Sequence, residues 1–301
     1  MLTCLGGRQK ANRRHFDGGD DIVTFADQLR VRAVVANAPV DVMSDEITKG
    51  THENMSQEPL LEVAANSVAS AIAAQDGGAG RVELCAALEL GGLTPSHGQI
   101  ALARERLHIP LYVLIRPRAG DFLYSDDECA TMQRDIEACV ALGCDGVVIG
   151  VLDADGNVDR DRCAGLVTAA KGLGVTFHRA IDVSRDPLQS LEDAIALGCE
   201  RVLSSGAQPN APDGADLLRE MVLRADGRIS VMPGAGIDAM NITALREQTG
   251  AREFHASAKH ACASPAHYVP RQSLGMTGGE IRTDAAIVRR IVDALRGNGT
   301  Q

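Results

Sequence analysis

The sequence predicts an α/β protein built on a closed TIM (β/α)8 barrel over residues 58–301. Two observations carry this prediction. First, a helical segment that ends in glycine and continues into a short, apolar, β-rich run recurs along the chain. Second, eight such runs follow one another at intervals of roughly 20–35 residues, the length of one βα unit. Strands that alternate with helices in this way form a parallel sheet.

The recurring unit is clearest in two segments, ALGCDGVVIG at 141–150 and ALGCERVLSS at 196–205. Gly143 and Gly198 stand where each helical pattern stops, and glycine at that position ends a helix in the left-handed conformation without steric cost. The residues that follow are mainly β-branched or apolar, as expected of a strand that is covered on both faces. Each unit therefore predicts one helix followed by one buried strand.

The elements can be counted in order along the chain. The eight predicted strands cover residues 60–64, 81–85, 111–116, 146–151, 174–179, 200–204, 228–233 and 252–257. Helical patterns lie between and after them, among others at 67–75, 129–142, 187–197 and 283–295. An open, doubly wound sheet is the alternative fold. That fold usually carries a glycine-rich dinucleotide loop after its first strand, and AANSVAS at 64–70 lacks this pattern, which favours the barrel.

Residues 1–57 differ from the remainder of the chain. Two polar stretches, 6–21 and 44–58, surround a weak apolar stretch at 29–42, and none of these continues the repeated unit. The segment MSQEPLLEVAAN, which begins at Met55, reads like the natural start of a protein. We therefore expect residues 1–57 to lie outside the barrel, and residues 1–54 to be a disordered extension or the product of a misassigned start codon. A regulatory tail is the alternative.

The composition excludes several classes of partner. The net charge of −10 argues against a basic face for nucleic acid or for an anionic membrane. No apolar run approaches the roughly 18 residues that a membrane span requires, and no secretory signal pattern is present. The eight cysteines are scattered and form no C-x-x-C pair. We expect reduced thiols in a cytoplasmic protein and no structural zinc site.

Polar residues recur at the carboxyl ends of the predicted strands, where TIM barrels carry their active sites. These are Glu62, Glu83, Arg116, Arg118, Asp121, His178, Arg179, Asp182, Ser204, Ser205, His255 and Ser257. Period-two alternation turns Glu83 inward together with Cys85, and His255 inward together with Ser257. A structural salt bridge of Glu62 or Glu83, or a core role for His178, is the alternative for each residue alone. Convergence from five strand ends favours a site.

The residue types predict roles within that site. His178 is the candidate general acid or base, and Glu62 or Glu83 would orient it or share the proton. Arg116 and Arg118, with Asp121 beside them, would hold an anion through charge-assisted bonds. Asp182 would fix Arg179, and Ser204 and Ser205 would add hydroxyl donors.

The loop after the seventh strand, MPGAGI at 232–237, would bring backbone N–H groups close to a phosphate at Gly234 and Gly236. A tight turn that needs glycine for its backbone angles is the alternative. The long loop after the eighth strand, 258–283, is a candidate lid, and it carries His260, Cys262 and Met276.

Several long motifs, taken together, make the sequence resemble the CutC family, whose members are called copper homeostasis proteins. The motifs are ELC at 83–85, GGLTPS at 91–96, RPRAGDFLYS at 116–125, GVLDADGNVD at 150–159 and TFHRAID at 176–182. The resemblance covers about 60–295 and leaves residues 1–57 outside the family. It implies a cytoplasmic barrel that forms a homo-oligomer and that handles copper.

Two hypotheses about function remain open. Cu(I) prefers thiolate and thioether ligands. At the mouth of the barrel alternation supplies only Cys85, with Cys262 and Met276 on the following loop, so a copper-binding protein without catalysis would use Cys85 as its ligand. The other hypothesis is an isomerase, aldolase or lyase that acts on a small anionic metabolite. Schiff-base chemistry is less favoured, because Lys259 is the only lysine near a strand end.

Overall fold

The computed structural model describes residues 58–268 and 279–297. The expected extension at 1–57 and Met276 of the candidate lid lie outside these residues. Within them, every predicted strand of the barrel is present.

The elements alternate as expected. The strands are β1 (Leu60–Ala65), β2 (Arg81–Leu84), β3 (Leu111–Leu114), β4 (Gly146–Ile149), β5 (Gly174–Phe177), β6 (Arg201–Ser204), β7 (Ser230–Pro233), β8 (Glu253–Ala256), β9 (Lys259–Cys262) and β10 (Glu280–Thr283). The helices are α1 (Val68–Asp76), α2 (His97–Arg106), α3 (Asp126–Leu142), α4 (Arg160–Ala169), α5 (Pro187–Ala196), α6 (Ala215–Ala225), α7 (Ile242–Thr249) and α8 (Ala285–Arg296). Short 3-10 turns at Leu88–Leu90 and Arg179–Val183 follow β2 and β5.

Eight parallel strands form the barrel in the order β7-β6-β5-β4-β3-β2-β1-β8. A parallel bridge between Gly234 and His255 joins β7 to β8 and closes the ring. The Gly234 N–H also donates to the Ser204 carbonyl at 2.9 Å, which continues the ladder from β6. The predicted TIM barrel is therefore confirmed, and the open sheet is excluded.

The strands β3, β4 and β5 are two residues shorter than predicted. They end at Leu114, Ile149 and Phe177, so Arg116 and His178 stand on the loops just beyond β3 and β5. The backbone of both residues is still held by hydrogen bonds. The His178 N–H donates to the Ile149 carbonyl at 2.8 Å, and the Arg116 N–H donates to Thr94 Oγ1 at 2.8 Å.

The segment after β8 contains structure that the sequence did not predict. The strands β9 and β10 pair as an antiparallel ribbon within the candidate lid. This ribbon is tied to α1, since the Ser70 hydroxyl accepts from the Thr283 N–H at 3.1 Å and Asn66 donates to the Ile281 carbonyl at 2.8 Å. Its periodicity is hidden by the polar residues of 259–262 and 280–283.

Helix boundaries follow from capping. The helix α3 begins at Asp126 because Ser125 and Glu128 form a capping box, with Ser125 accepting from the Glu128 N–H and the Glu128 side chain accepting from the Ser125 N–H. It ends at Gly143, whose φ of 71° is the left-handed cap that the repeated unit predicts. None of the helices in residues 58–268 and 279–297 is long and apolar enough to cross a membrane.

Each strand divides its side chains between two surroundings. On β1, Leu61, Val63 and Ala65 join the apolar core between the strands and the helices. The alternate residue Glu62 turns into the barrel and is completely buried there. The interior of this barrel is therefore polar at several levels, and that polar interior leads up to the mouth.

Candidate functional site

A cavity of about 600 Å³ opens at the carboxyl ends of the strands, and we call it the mouth cavity. Residues of β1, β2, β3, β6 and β8 and of the loops after β2, β3, β5, β7 and β8 contribute to its wall. Its polar and sulphur-containing wall residues are Glu83, Cys85, Arg116, His178, Arg179, Asp182, His255, Ser257 and Lys259. The structure thus brings together most of the residues that the sequence nominated.

A buried carboxylate–imidazole–carboxylate chain runs from the barrel interior to the cavity wall. Glu62 lies opposite His255 in the register of β1 and β8, and its Oε1 is 2.8 Å from His255 Nδ1. The other ring nitrogen, Nε2, is 3.6 Å from Glu83 Oε2. Because the ionised Glu62 can only accept, His255 carries a proton on Nδ1 and turns Nε2 toward Glu83.

Glu62 is held as a carboxylate. Burial alone would raise its pKa, but the charge of Arg81 and the hydrogen bond from His255 outweigh burial and lower the pKa to about 2. The Arg81 Nε–H donates to the other carboxylate oxygen of Glu62. The group can therefore orient His255 without taking its proton near neutral pH.

Glu83 behaves in the opposite way although it lies on the neighbouring strand. Burial, reinforced by the negative charge of Glu62, raises the pKa of Glu83 to about 7, while the charges of His255 and Arg81 oppose the rise. Burial lowers the pKa of His255, but Glu83 and Glu62 reverse that effect and leave the pKa raised. Glu83 therefore has a raised pKa beside an imidazole whose pKa is also raised, and perturbed carboxyls in clefts are typical of functional sites.

His178 is buried at the cavity wall and remains neutral. Its Nδ1 accepts from the Ala180 N–H at 3.2 Å, which places the ring proton on Nε2. Burial and the nearby charge of Arg116 lower the pKa of His178 to about 3. Such a ring is a poor base and a hydrogen-bond donor through Nε2.

Arg116 is clamped by the loops around it. Its terminal nitrogens donate to the carbonyls of Leu90, Gly92 and Gly120 at 2.8–2.9 Å. Its guanidinium lies 5.2 Å from the centroid of the Phe122 ring, and its Nε is buried without a partner.

Asp182 organises the loop after β6. It accepts from the hydroxyls of Ser204 and Ser205 at 2.6 and 2.9 Å and from the Ser205 N–H at 3.0 Å. Arg179 donates to Asp182 and to the Ser205 hydroxyl, both at 2.8 Å. Ser204 and Ser205 therefore hold Arg179 and Asp182 at the cavity, but neither serine contributes to its wall.

Arg118 and Asp121 are not among the residues of the cavity wall. Arg118 turns toward α3, where it pairs with Glu128 at 2.6 Å and with Asp121 at 2.9 Å, and it lies over the Tyr124 ring. Alternation fails here because Pro117 has no N–H to continue the ladder and β3 has already ended at Leu114.

The loop after β7 divides its two glycines between different tasks. Gly234 lets β7 approach β8, because a Cβ there would lie 2.5 Å from a Leu203 methyl and 3.2 Å from His255 Cβ. Gly236 lines the cavity with Ala235, and both have positive φ, 69° and 77°. Lys259 stands exposed on the same rim, so this side of the mouth is suited to an anion.

Sequence reasoning missed the charged residues beneath the cavity. Arg81, Arg201 and Glu253, with Glu200 and Tyr112, form a cluster that we call the lower network. Arg201 pairs with Glu253 at 2.6 Å and with Glu200 at 2.8 Å, and Arg81 pairs with Glu253 at 2.5 Å. Alternation was the available signal, since Arg81 shares a face with Glu83, and Glu253 shares a face with His255.

Copper would need soft ligands, and the donors in the cavity do not fit a Cu(I) site well. Among the residues that the structure describes, Cys85 is the only sulphur residue of the cavity wall, and it packs with Tyr112, Leu114 and Val148. Burial and the charges of Glu83 and Glu89 raise the pKa of the Cys85 thiol, which opposes the thiolate that binds metal. Cys262 lies 3.1 Å from His260 Nε2 on the ribbon. In the described part of the chain, no three His, Cys, Asp or Glu side chains are grouped to hold a metal.

Comparison with known proteins identifies relatives over the barrel. A CutC family protein of Xanthomonas campestris is 60% identical over 237 residues, which cover 78% of this chain and 98% of the relative. A CutC family protein of Chromobacterium violaceum is 50% identical over 244 residues, which cover 79% and 98%. The crystal structure of a Streptococcus agalactiae protein, described as a candidate copper homeostasis protein CutC, is similar with a TM-score of 0.64 and 33% identity. It covers 66% of this chain and 98% of its own.

The sequence model of the CutC family matches residues 59–260. This range begins with β1 and ends within β9, so it contains every residue of the cavity wall. The resemblance inferred from the motifs is confirmed: the chain belongs to the CutC family.

Proposed function

We propose that the protein is an enzyme that transfers a proton to or from a small organic anion in the mouth cavity. The observation that carries this proposal is the Glu62–His255–Glu83 chain, which ends at the cavity wall in a carboxyl group whose pKa is raised to about 7. A general acid or base is most effective when its pKa lies near the working pH.

Each member of the chain has its own task in this mechanism. Glu62 fixes the orientation of His255 and stabilises its protonated form. His255 exchanges a proton with Glu83 through Nε2. Glu83 is the group that meets the substrate, and it takes a proton in its carboxylate form and returns one in its acid form. Isomerisation and elimination both need this sequence of steps.

The rim supports an anionic substrate. Arg179 and Lys259 contribute positive charge, and the backbone at Ala235 and Gly236 is open to a close approach. These two cations lie at the mouth although the chain as a whole carries a net charge of −10. A phosphate or carboxylate group remote from the reacting atom would fit here.

The test is exchange of substrate protons with solvent. The protein is incubated in D2O with 2-hydroxy acids, 2-oxo acids and sugar phosphates, and deuterium incorporation is followed by NMR. Glu83→Gln should lower the exchange rate about 10²- to 10⁴-fold, because general acid–base catalysis contributes that much. Glu89→Gln is the matched control, since Glu89 is exposed just after β2 and should keep the full rate. Equal rates in both variants, or no exchange with any of the compounds, would count against the proposal.

Copper handling is the second candidate, because the solved relative from Streptococcus agalactiae is described by that role. Cys85 would be the sulphur donor, with His178 or His255 in the same cavity wall. Anaerobic titration with Cu(I) against a competing chelator tests it. Stoichiometric binding that disappears in Cys85→Ser and persists in Cys262→Ser would make copper the primary ligand. Binding that does not depend on Cys85 would leave the proton-transfer proposal standing alone.

A further inference from the structure

Two hydrogen-bond donors at the mouth cavity are buried without partners. They are Arg116 Nε and His178 Nε2, and both side chains belong to the cavity wall. A buried donor that loses its partner destabilises a protein by about 1–3 kcal/mol. In the same barrel, the terminal and ε nitrogens of Arg81 and Arg201 make hydrogen bonds or ion pairs with carboxylates. Among the described residues, Tyr124 Oη and His260 Nδ1 are also buried without a partner, and Arg116 and His178 are the two of these four residues that belong to the cavity wall.

The two donors are held in fixed positions. Three backbone carbonyls hold the terminal nitrogens of Arg116. The His178 ring accepts from the Ala180 N–H and lies against Gly150, where a Cβ would come within 2.4 Å of two ring atoms. Groups that cannot reorient toward solvent are prepared for a ligand and need no rearrangement when charge develops on it.

The Phe122 ring connects the two positions. It lies 4.9 Å from the His178 ring centroid and 5.2 Å from the guanidinium carbon of Arg116. Phe122 is half-buried and belongs to the cavity wall. Phe122 therefore packs beside both side chains at the cavity wall.

We propose that Arg116 Nε–H and His178 Nε2–H bind the oxygen of a substrate carbonyl or carboxylate whose neighbouring carbon gives up its proton to Glu83. The inference rests on the proposed function and names its substrate class, carbonyl or carboxylate compounds with an acidic α C–H. His178 then acts as a neutral electrophile, a role different from the acid or base role that the sequence suggested.

The step balances without any further reactant. The Glu83 carboxylate takes the α proton, the electron pair of the C–H bond forms a C=C bond, and the π electrons of the carbonyl move to oxygen. The two donors stabilise the resulting oxyanion. Return of the proton from Glu83 to the same carbon regenerates the compound with solvent hydrogen at that position, and return to a second carbon conjugated with the enolate gives the isomer. Two donors to a developing oxyanion are a common means of accelerating such a step.

Oxalate, a planar mimic of the enolate of a 2-oxo acid, is the probe. Calorimetry should show that oxalate binds the full-length protein. His178→Ala should weaken that binding about tenfold to a hundredfold, since a hydrogen bond to a charged group is lost. His108→Ala is the control, because His108 is exposed on the loop before β3. His178→Asn, which keeps a donor, should recover part of the affinity.

NMR of protein labelled with ¹⁵N-histidine provides a readout that needs no variant. The Nε2 of His178 should be protonated and its Nδ1 unprotonated throughout the neutral range, and the Nε2 proton should shift downfield when oxalate is added. A proton on Nδ1, an oxalate affinity equal in wild type and His178→Ala, or no binding of oxalate at millimolar concentration would overturn the inference.

The outcome is separable from that of the proposed function. Glu83→Gln should keep oxalate binding while losing solvent exchange. If Glu83→Gln catalyses solvent exchange at the wild-type rate, the proton-transfer proposal is wrong, regardless of the oxalate affinity. If exchange depends on Glu83 but the oxalate affinity does not depend on His178, only the oxyanion-binding role is wrong.

Discussion

The lower network and the mouth of the same barrel handle buried charge in opposite ways. In the lower network each arginine faces a carboxylate, and the Tyr112 ring lies 5.2 and 5.3 Å from the guanidinium carbons of Arg81 and Arg201. At the mouth, Glu83 is only within 3.6 Å of His255, and two donors have no partner. We infer that the ion pairs of the lower network stabilise the fold and that the incompletely paired groups at the mouth can bind a ligand.

Glu62 belongs to both regions. Its carboxylate accepts from Arg81 of the lower network and from His255 of the mouth. The lower network therefore supports the site, because it fixes the carboxylate that orients His255. The comparison can therefore be tested by substitutions in the lower network and by substitutions at the mouth.

The largest expected effect is on stability, from Arg81→Met in the lower network. The change leaves Glu62 and Glu253 buried without the guanidinium that they share, and breaking a buried ion pair costs about 3–5 kcal/mol of unfolding free energy. Urea unfolding measures it. Arg224→Met is the matched control on the exposed pair with Glu192, and it should cost far less. Equal losses would mean that the lower network does not stabilise the fold.

The next effect is the pH dependence that Glu83 gives to stability. Its pKa is raised from 4.5 to about 7 on folding, so between these values the folded state binds a proton that the unfolded state has released. The contribution to stability is therefore complete below pH 4.5 and is lost as pH rises through 7. At about 1.4 kcal/mol per pKa unit, the loss is about 3.5 kcal/mol at most.

Glu83→Gln removes this titration. The unfolding free energies of wild type and Glu83→Gln are measured from pH 4.5 to 8. The wild type should lose stability relative to the variant as pH rises. His255 contributes in the same direction, because its folded pKa is also raised. Glu62 acts oppositely and only in acid, since its pKa is lowered to about 2. A difference that is flat with pH would show that Glu83 is solvated and would remove its distinction from the lower network.

A smaller effect is expected from Phe122→Ala. Burial is the main cause of the low pKa of His178, and Phe122 supplies part of that burial. Removal of the ring should admit water and raise the pKa of His178 by about one unit from its value near 3, equivalent to about 1.4 kcal/mol. NMR titration measures the change, with the exposed Leu123→Ala as control. An unchanged pKa of His178 would show that groups other than Phe122 account for the burial of its ring.

The sequence predicted the barrel and most of the mouth for one physical reason. Each βα unit has a glycine at the end of its helix and an apolar strand after it, and this pattern repeats along the chain. Alternation within each strand then predicts the direction of each polar side chain, as it did for Glu83 and His255. Arg81 was missed because it stands at the amino end of the predicted strand 81–85, whereas TIM barrels carry their active sites at the carboxyl ends. The tautomer of His178 could not be predicted, because it depends on the N–H of Ala180 two residues later and on the turn between them.

Arg118 marks the limit of that reasoning and gives the smallest expected effect. Alternation would turn Arg118 inward with Arg116, but it is directed to α3 and pairs with Glu128 and Asp121, which are exposed or half-exposed. Screened pairs of this kind contribute little. Arg118→Met should therefore leave oxalate affinity within about twofold of wild type, while His178→Ala lowers it tenfold or more. A tenfold loss in Arg118→Met would mean that the ligand extends toward α3 and that the anion site is larger than the mouth cavity. Arg118 lies outside the wall of that cavity, so it can contact a bound anion only if its side chain turns into the cavity.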